Sequence, residues 1–259
     1  MQIKLLDQNE EKARLMITGS NPAYMNLIRR EIVNKVPTMA IQTITFTDNS
    51  SAMYDEMLAH RLGLVVLTTD LKSYNLPSEC KCKDAGCAMC ELKITMDVEG
   101  PKNVYAEDLK STDPNIKPFH PKTLLVKLLK GQNLKFEATA RLGYGKDHVR
   151  HSAGLVFYQG YPNFKIGQLA SPKKVVAVCP QKILIESAGK VKVTDETKCN
   201  LCMACHDEDH NIVVESDNSK FIMTVEPWGQ FSKKDMLIAA IDVFDQQLKE
   251  LSNELKKVK

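Results

Sequence analysis

The sequence predicts an α+β protein built in more than one unit. Three observations carry that reading. Alternating apolar and polar patterns of strand type recur along most of the chain, and helical periodicity is confined to a few stretches, the strongest near the two ends. Eight cysteines gather into two tight groups with one outlier. At 259 residues the chain also exceeds one typical domain, so two or three units are expected.

Composition narrows the classes. Hydrophobic content of 43% and charged content of 26% are ordinary for a soluble globular protein. With 35 basic and 32 acidic side chains the net charge is +3, which gives no reason to expect independent nucleic-acid binding. No apolar run approaches the roughly 18 residues of a membrane span, and the start lacks a signal-peptide block, so a cytoplasmic location is expected. Clustered cysteines in such a chain point to metal binding in a reducing compartment rather than to a disulfide framework.

Residues 2–18 read as two strands around a turn at Asn9–Lys12. In Asn21–Val36, NPAYMNLIRREIVNKV, Asn21 can cap a helix and Pro22 suits the first helical position. Tyr24, Leu27, Ile28 and Ile32 recur at steps of three or four along one face, and Pro37 stops the helix. Ile44 and Phe46 alternate with threonines as a short strand. Ser51 is placed to cap a second helix running to about Leu62, with Met53, Tyr54, Met57 and Leu58 on one face and Gly63 ending it in the left-handed conformation.

Cys80, Cys82, Cys87 and Cys90 then form a C-x-C-x4-C-x2-C box within eleven residues. Four thiolates this close can converge tetrahedrally on one ion, and zinc is the usual occupant of a closed four-cysteine site. Free thiols or paired disulfides in a loop are the other reading. Leu92, Ile94, Met96 and Val98 follow as a half-buried strand. Segments 120–129 and 134–142 read as a hairpin with Gly131 in its turn. His148 and His151 read as loop residues at a subunit contact rather than metal ligands or catalytic bases, because no carboxylate or nucleophile is organised with them.

Residues 173–226 have their own grammar: a strand KKVVAV into Cys179-Pro180, a compact hairpin ILIES-AGK-VKVTD, then Cys199, Cys202 and Cys205. C-x2-C-x2-C is the spacing by which one peptide wraps three corners of an iron–sulfur cluster, with a remote Cys-Pro as the fourth. The pattern resembles half of a bacterial two-cluster ferredoxin. QLASPKKVVAV holds none of the other half's ligands, and Asp209 stands where the second motif's fourth cysteine belongs. Cys179, Cys199, Cys202 and Cys205 thus account for one [4Fe–4S] cluster, or a [3Fe–4S] cluster if a corner is lost. Zinc or disulfides are the alternatives.

Near the chain end Ser232 and Asp235 make a capping-box-like start. Leu237, Ile241, Phe244, Leu248, Leu251 and Leu255 then follow at steps of four and three, a heptad row over about five turns. Met236, Ala240 and Val243 form a second row. A face this long on a terminal helix suits both the chain's own domain and a partner chain.

NPAYMNLIRREIVNKVPTMAI resembles the first dimerisation helix of the RNA polymerase alpha family, nearest its archaeal alpha-like branch and the eukaryotic third-largest subunits. AHRLGLVVL at residues 59–67 and GYGKDHVRHSAGLVFY resemble further segments of that family, so the likeness covers nearly the whole chain. It implies a split alpha-type dimerisation domain (1–44, 153–170 and 217–259). Into this would be inserted a β-rich domain (45–152) with a four-cysteine zinc loop, and a ferredoxin-like iron–sulfur domain (171–216), an insert found in some archaeal members. It further implies pairing with a small alpha-like partner, subunit L in archaea, through Tyr24, Leu27, Ile28 and the closing helix. Arg29 and Arg30 would lie near a large subunit. The expected function is a non-catalytic assembly platform of DNA-directed RNA polymerase; no aspartate triad for magnesium and no glycine-rich phosphate loop appears. A single-cluster electron carrier or reductase subunit is the rival; against it, there is no second cluster to hand electrons to and no flavin or nicotinamide fingerprint in the sequence. A freestanding DNA-binding zinc protein is disfavoured by the balanced charge.

Overall fold

A computed structural model describes residues 1–258. In chain order the elements are β1 (Gln2–Gln8), β2 (Ala13–Thr18), α1 (Pro22–Asn34), β3 (Thr38–Asn49), α2 (Asp55–Gly63), β4 (Glu91–Glu99), β5 (Lys102–Tyr105), β6 (Lys110–Ser111), β7 (Leu124–Leu128), β8 (Asn133–Gly143), β9 (Gly154–Ile166), α3 (Pro172–Val178), β10 (Leu184–Ser187), β11 (Lys190–Val193), α4 (Ala204–Glu208), β12 (Ile212–Pro227) and α5 (Lys233–Lys257). This is a mixed α+β chain with antiparallel sheets. It divides into two units, Met1–Leu27 with Val156–Val225, and Ile28–Leu155 with the residues from Glu226 on.

The first unit holds a four-stranded sheet in the order β1-β2-β12-β9. The turn expected at Asn9–Lys12 forms because the Asn9 carboxamide accepts from the Glu11 and Lys12 amides at 3.0 and 2.7 Å. Ile3, Ile17 and Phe221 stand opposite one another across three strands, as do Leu5, Leu15 and Met223, so one face of the sheet is apolar. A second core gathers Val175, Ile183, Leu184, Val191, Cys205, Ile212 and Val214 around the cysteine-bearing segment.

The second unit is built on the sheet β3-β8-β4-β6, with β5-β7 as a separate ribbon. Leu134, Phe136, Ala138, Ala140 and Leu142 of β8 are all buried, and meet Ile94 and Met96 of β4 and Leu58 and Leu62 of α2 in one core. The alternation read from β4 and β8 is therefore a true half-buried pattern.

Several expectations change. KKVVAV is not a strand but helix α3: Pro172 sits in its first turn, and Val175 alone is buried. The β-branched run misleads because packing overrides propensity over seven residues. Segments 120–129 and 134–142 do not pair as a hairpin. Gly131 does turn the chain, at φ 79°, but β7 pairs with β5 and β8 with β3 and β4. Ser51 does not cap α2, which starts at Asp55; its hydroxyl instead closes a turn with Asn49 and Met53. Tyr54 and Met57 are exposed, leaving Leu58 and Leu62 as the buried face. Gly63 lies inside α2 without a left-handed backbone; a side chain there would press on Arg150 and the Ile41 carbonyl. The strand at Ile44 and Phe46 extends over Thr38–Asn49.

Asn21 caps α1, accepting from the Tyr24 amide at 2.9 Å. Ile28 and Ile32 are buried as expected, but Met25 joins them in place of Tyr24 and Leu27, which are half-buried, so the apolar face is turned partly round the helix. His151 is buried and donates through Nδ1 to the Thr38 carbonyl at 2.8 Å, which removes it from any surface contact. Burial holds its imidazole below the usual range. His148 accepts at Nδ1 from the Arg150 amide, a local cap.

Candidate metal centres and partner face

The four sulfurs of Cys80, Cys82, Cys87 and Cys90 lie within 4.8 Å of one another, a set able to hold a metal ion. Neighbouring sulfurs stand 3.5 to 3.8 Å apart. Tetrahedral zinc with bonds of about 2.3 Å asks for sulfurs ~3.8 Å apart, so the spacing fits a single ion. The backbone makes this possible. Amides of Lys83 and Cys90 close turns on the Cys80 and Cys87 carbonyls at 2.9 and 3.0 Å. Lys83, Asp84 and Gly86 take the left-handed region to reverse the chain between them. Arg141 of β8 pairs with Asp84 at 3.0 Å and with Glu91, tying the loop to the sheet. A hydrogen bond from Cys80 lowers the Cys82 thiol to about 7, whereas burial pushes Cys90 up to about 12.

Cys179, Cys199, Cys202 and Cys205 are arranged differently. They line one cavity, together with Phe164, Ile183, Leu184 and Val214. Four cysteines gathered on one largely apolar wall are a setting in which a metal centre can be held. Leu201 and Met203, between the cysteines, both adopt positive φ (56° and 65°). Side-chain-bearing residues pay roughly 1–2 kcal/mol for that conformation. Here it turns the run about the cavity, with the Leu201 amide donating to Cys199 Sγ at 3.4 Å. Burial raises the Cys199 and Cys205 thiols, so thiolates there need a cation to offset the desolvation. Asp209, in place of a further cysteine, accepts from the Ala170 and Asn211 amides at 2.8 and 3.0 Å and is a loop clasp.

On α5, Ser232 accepts from the Asp235 amide at 3.1 Å, the expected cap. The two rows separate clearly. Met236 and Ala240 are fully buried. On the other row Leu237 and Phe244 are half-buried, while Ile241, Leu248, Leu251 and Leu255 are 45, 47, 57 and 62% exposed. Of the α1 candidates Arg30 is exposed, Arg29 is half-buried and Ile28 belongs to the chain's own core. Sequence reasoning missed Gln159 of β9, whose amide donates to the Cys199 carbonyl at 2.6 Å; one polar residue in an alternating strand carries no signal of such a contact.

No described helix is long and apolar enough to cross a membrane. Residues 40–156 match the RNA polymerase Rpb3/RpoA insert domain. Over the full length, the chain is 36% identical across 257 residues to DNA-directed RNA polymerase subunit Rpo3 of Methanosarcina acetivorans, covering 97% of each chain. It is 32% identical over 265 residues to the Methanosphaera stadtmanae subunit Rpo3, covering 98% of each. With that of Pyrococcus furiosus the identity is 30% over 262 residues, covering 100% of this chain and 98% of the relative.

Proposed function

The chain belongs to the Rpo3 family of DNA-directed RNA polymerase subunits, and from that premise we propose that it serves the polymerase as a non-catalytic assembly subunit. The match over 97% of both chains is the observation that carries this. None of the relatives reported above is named as an electron carrier, so the rival reading is not favoured.

In this reading α5 and α1 supply the surface for a small alpha-like partner. A row of large apolar side chains exposed along a 25-residue helix loses its contact with water when a second chain covers it. The pair then offers a platform to the large subunits, with Arg30 exposed at α1 for such a contact. The partition into a split dimerisation domain, a β-rich insert at 45–152 and an iron–sulfur insert at 171–216 belongs to the same proposal, as does a cytoplasmic site of action.

Two metal centres fit it. Cys80, Cys82, Cys87 and Cys90 would hold one zinc, which would close a loop that has little core of its own. Cys179, Cys199, Cys202 and Cys205 would hold one iron–sulfur cluster, whose chemistry is thiolate ligation and one-electron transfer. The protein's own part is to orient the cysteines, through the left-handed turns at Leu201 and Met203 and the clasp from Gln159.

Copurification from native extract tests the assignment. Large polymerase subunits and a small alpha-like chain should accompany the tagged protein in fixed ratio. Recovery with redox partners and no polymerase subunit would overturn it.

A further inference from the structure

A groove of about 410 Å³ runs along α5 in the second unit and borders the first cysteine box, since Glu79 of its lining immediately precedes Cys80. Leu76, Leu142 and Val243 give it an apolar part, and Tyr74 and Tyr144 also line it. Glu79, Asp242 and Glu250 line it with a single lysine, Lys35. None of the three carboxylates is held in an ion pair among the described residues. Glu79 and Glu250, from distant parts of the chain, both act on Tyr144: burial first, then these charges, raise its phenol.

Geometry separates this groove from the exposed row of α5. At about 100° per residue, Ala239, Asp242, Gln246 and Glu250 fall on one side of the helix and Ile241, Leu248 and Leu255 on the opposite side. Leu251 stands only about 40° round the helix from Gln247 of the lining, so a chain seated on Ile241, Leu248 and Leu255 leaves the Asp242, Gln246 and Glu250 edge of the groove open. Asp242 and Glu250 are eight residues apart, ~12 Å along the axis, the reach of about four residues of extended chain.

We propose that the groove receives an extended lysine- or arginine-bearing segment of a polymerase subunit other than the one on the α5 row. The inference rests on the polymerase reading above. Basic side chains of such a segment meet the three carboxylates, their methylene stems lie on the tyrosines, and its apolar residues meet the apolar part. Gln246 donates to Glu250 at 3.1 Å and so holds that carboxylate at the groove, while the Asn75 side chain offers hydrogen bonds to the segment's main chain. A polyamine would satisfy the charges but would leave the apolar part and the Asn75 amide unused.

The test is reconstitution of the complete chain, metals loaded, first with the small partner and then with the remaining subunits. Asp242 is exposed, and so is Glu250, so Asp242→Lys with Glu250→Lys should fold normally. Pairing with the small partner is expected to be unchanged. Joining the remaining subunits should weaken by about tenfold or more at moderate salt, as for loss of two charge contacts. In wild type, p-benzoylphenylalanine at Gln246 should cross-link within the complex to a lysine- or arginine-bearing peptide of another subunit. Wild-type assembly of the reversed variant would overturn the proposal. So would a cross-link confined to the small partner, or spermidine binding in the groove that leaves assembly untouched. If wild type itself joins no polymerase subunit, the polymerase reading has failed, which is a distinct result.

Discussion

Gln159 of β9 donates through its side-chain amide to the main-chain carbonyl of Cys199 at 2.6 Å. A strand of the first unit's sheet thereby fixes the position from which the C-x2-C-x2-C run begins. Anaerobically purified protein should be brown and hold about four iron and four sulfide per chain if the cluster is a cubane. Gln159→Leu leaves that carbonyl without its donor, at about 1–3 kcal/mol of local stability. The variant should release iron to a chelator several-fold faster than wild type while its zinc content stays the same. Equal rates would show that the clasp does not support the cluster.

The Cys80 box should behave independently. Its sulfurs already stand at single-ion spacing, and Arg141 fastens its loop to β8. Metal analysis is expected to find about one zinc per chain, retained after iron is removed. Arg141→Ala should lower zinc affinity while the β3-β8-β4 core keeps its exchange protection. Two disulfides among these four cysteines in freshly reduced, anaerobic protein would count against a metal site.

How much was legible follows from how local each determinant is. The Asn9 turn, the Asn21 and Ser232 caps, the alternation of β4 and β8 and the Cys80 box depend on neighbours in sequence, and all were readable. Cys80 to Cys90 close on one another because their ligands lie within eleven residues. What failed depended on distant partners. Nothing in residues 120–142 says that β7 leaves β8 to pair with β5. KKVVAV has strand composition, and only its packing of Val175 beneath Leu184 and Ile212 selects a helix. Met25 took the core position expected of Tyr24 and Leu27 because the exact phase of α1 is set by what it packs against.

Alkaline pH should report two tyrosines. Tyr74 and Tyr161 are both pushed up to about 12, by burial first and then by the Asp113 and Glu196 carboxylates that accept their hydroxyls at 2.9 and 2.8 Å. A phenol whose folded value lies above its unfolded value near 10 favours the protonated folded state. Its contribution is complete below about pH 10 and is lost as pH rises toward 12. In a tyrosinate absorbance titration these two should ionise last, and Tyr74→Phe should remove one late step. Titration of all tyrosines together near 10, before unfolding, would contradict both contacts.

Leu248 and Leu251 are 47 and 57% exposed, so exchanging both for aspartate should barely alter the isolated chain's melting temperature. In a covered seam the same charges cost several kcal/mol. The coexpressed small partner should then fail to copurify. Retained pairing at low micromolar concentration would show that the row is not the partner surface.

The last prediction separates the cluster from the pairing surface. Cys205 packs in the core formed by Val175, Ile183, Leu184, Val191, Ile212 and Val214, against which Phe164 and Ile166 also rest. Ligand binding in small metal sites is largely the folding energy of the surrounding segment, because the unfolded chain has no preformed site. Replacing Cys199, Cys202 and Cys205 with serine should therefore loosen residues 171–216. The loss of hydrogen-exchange protection should spread along β9 and β12 only as far as Phe164 and Val214. The core of Leu134, Phe136 and Ala138 shares no residue with that cluster and should keep its protection. So should α5, where Met236 and Ala240 are fully buried. The variant should still elute with the small partner in size-exclusion chromatography but join the large subunits less well, since a loosened insert is a poor docking surface. If the pair itself falls apart, the cysteine segment belongs to the pairing core, and the proposed partition at 171–216 is wrong.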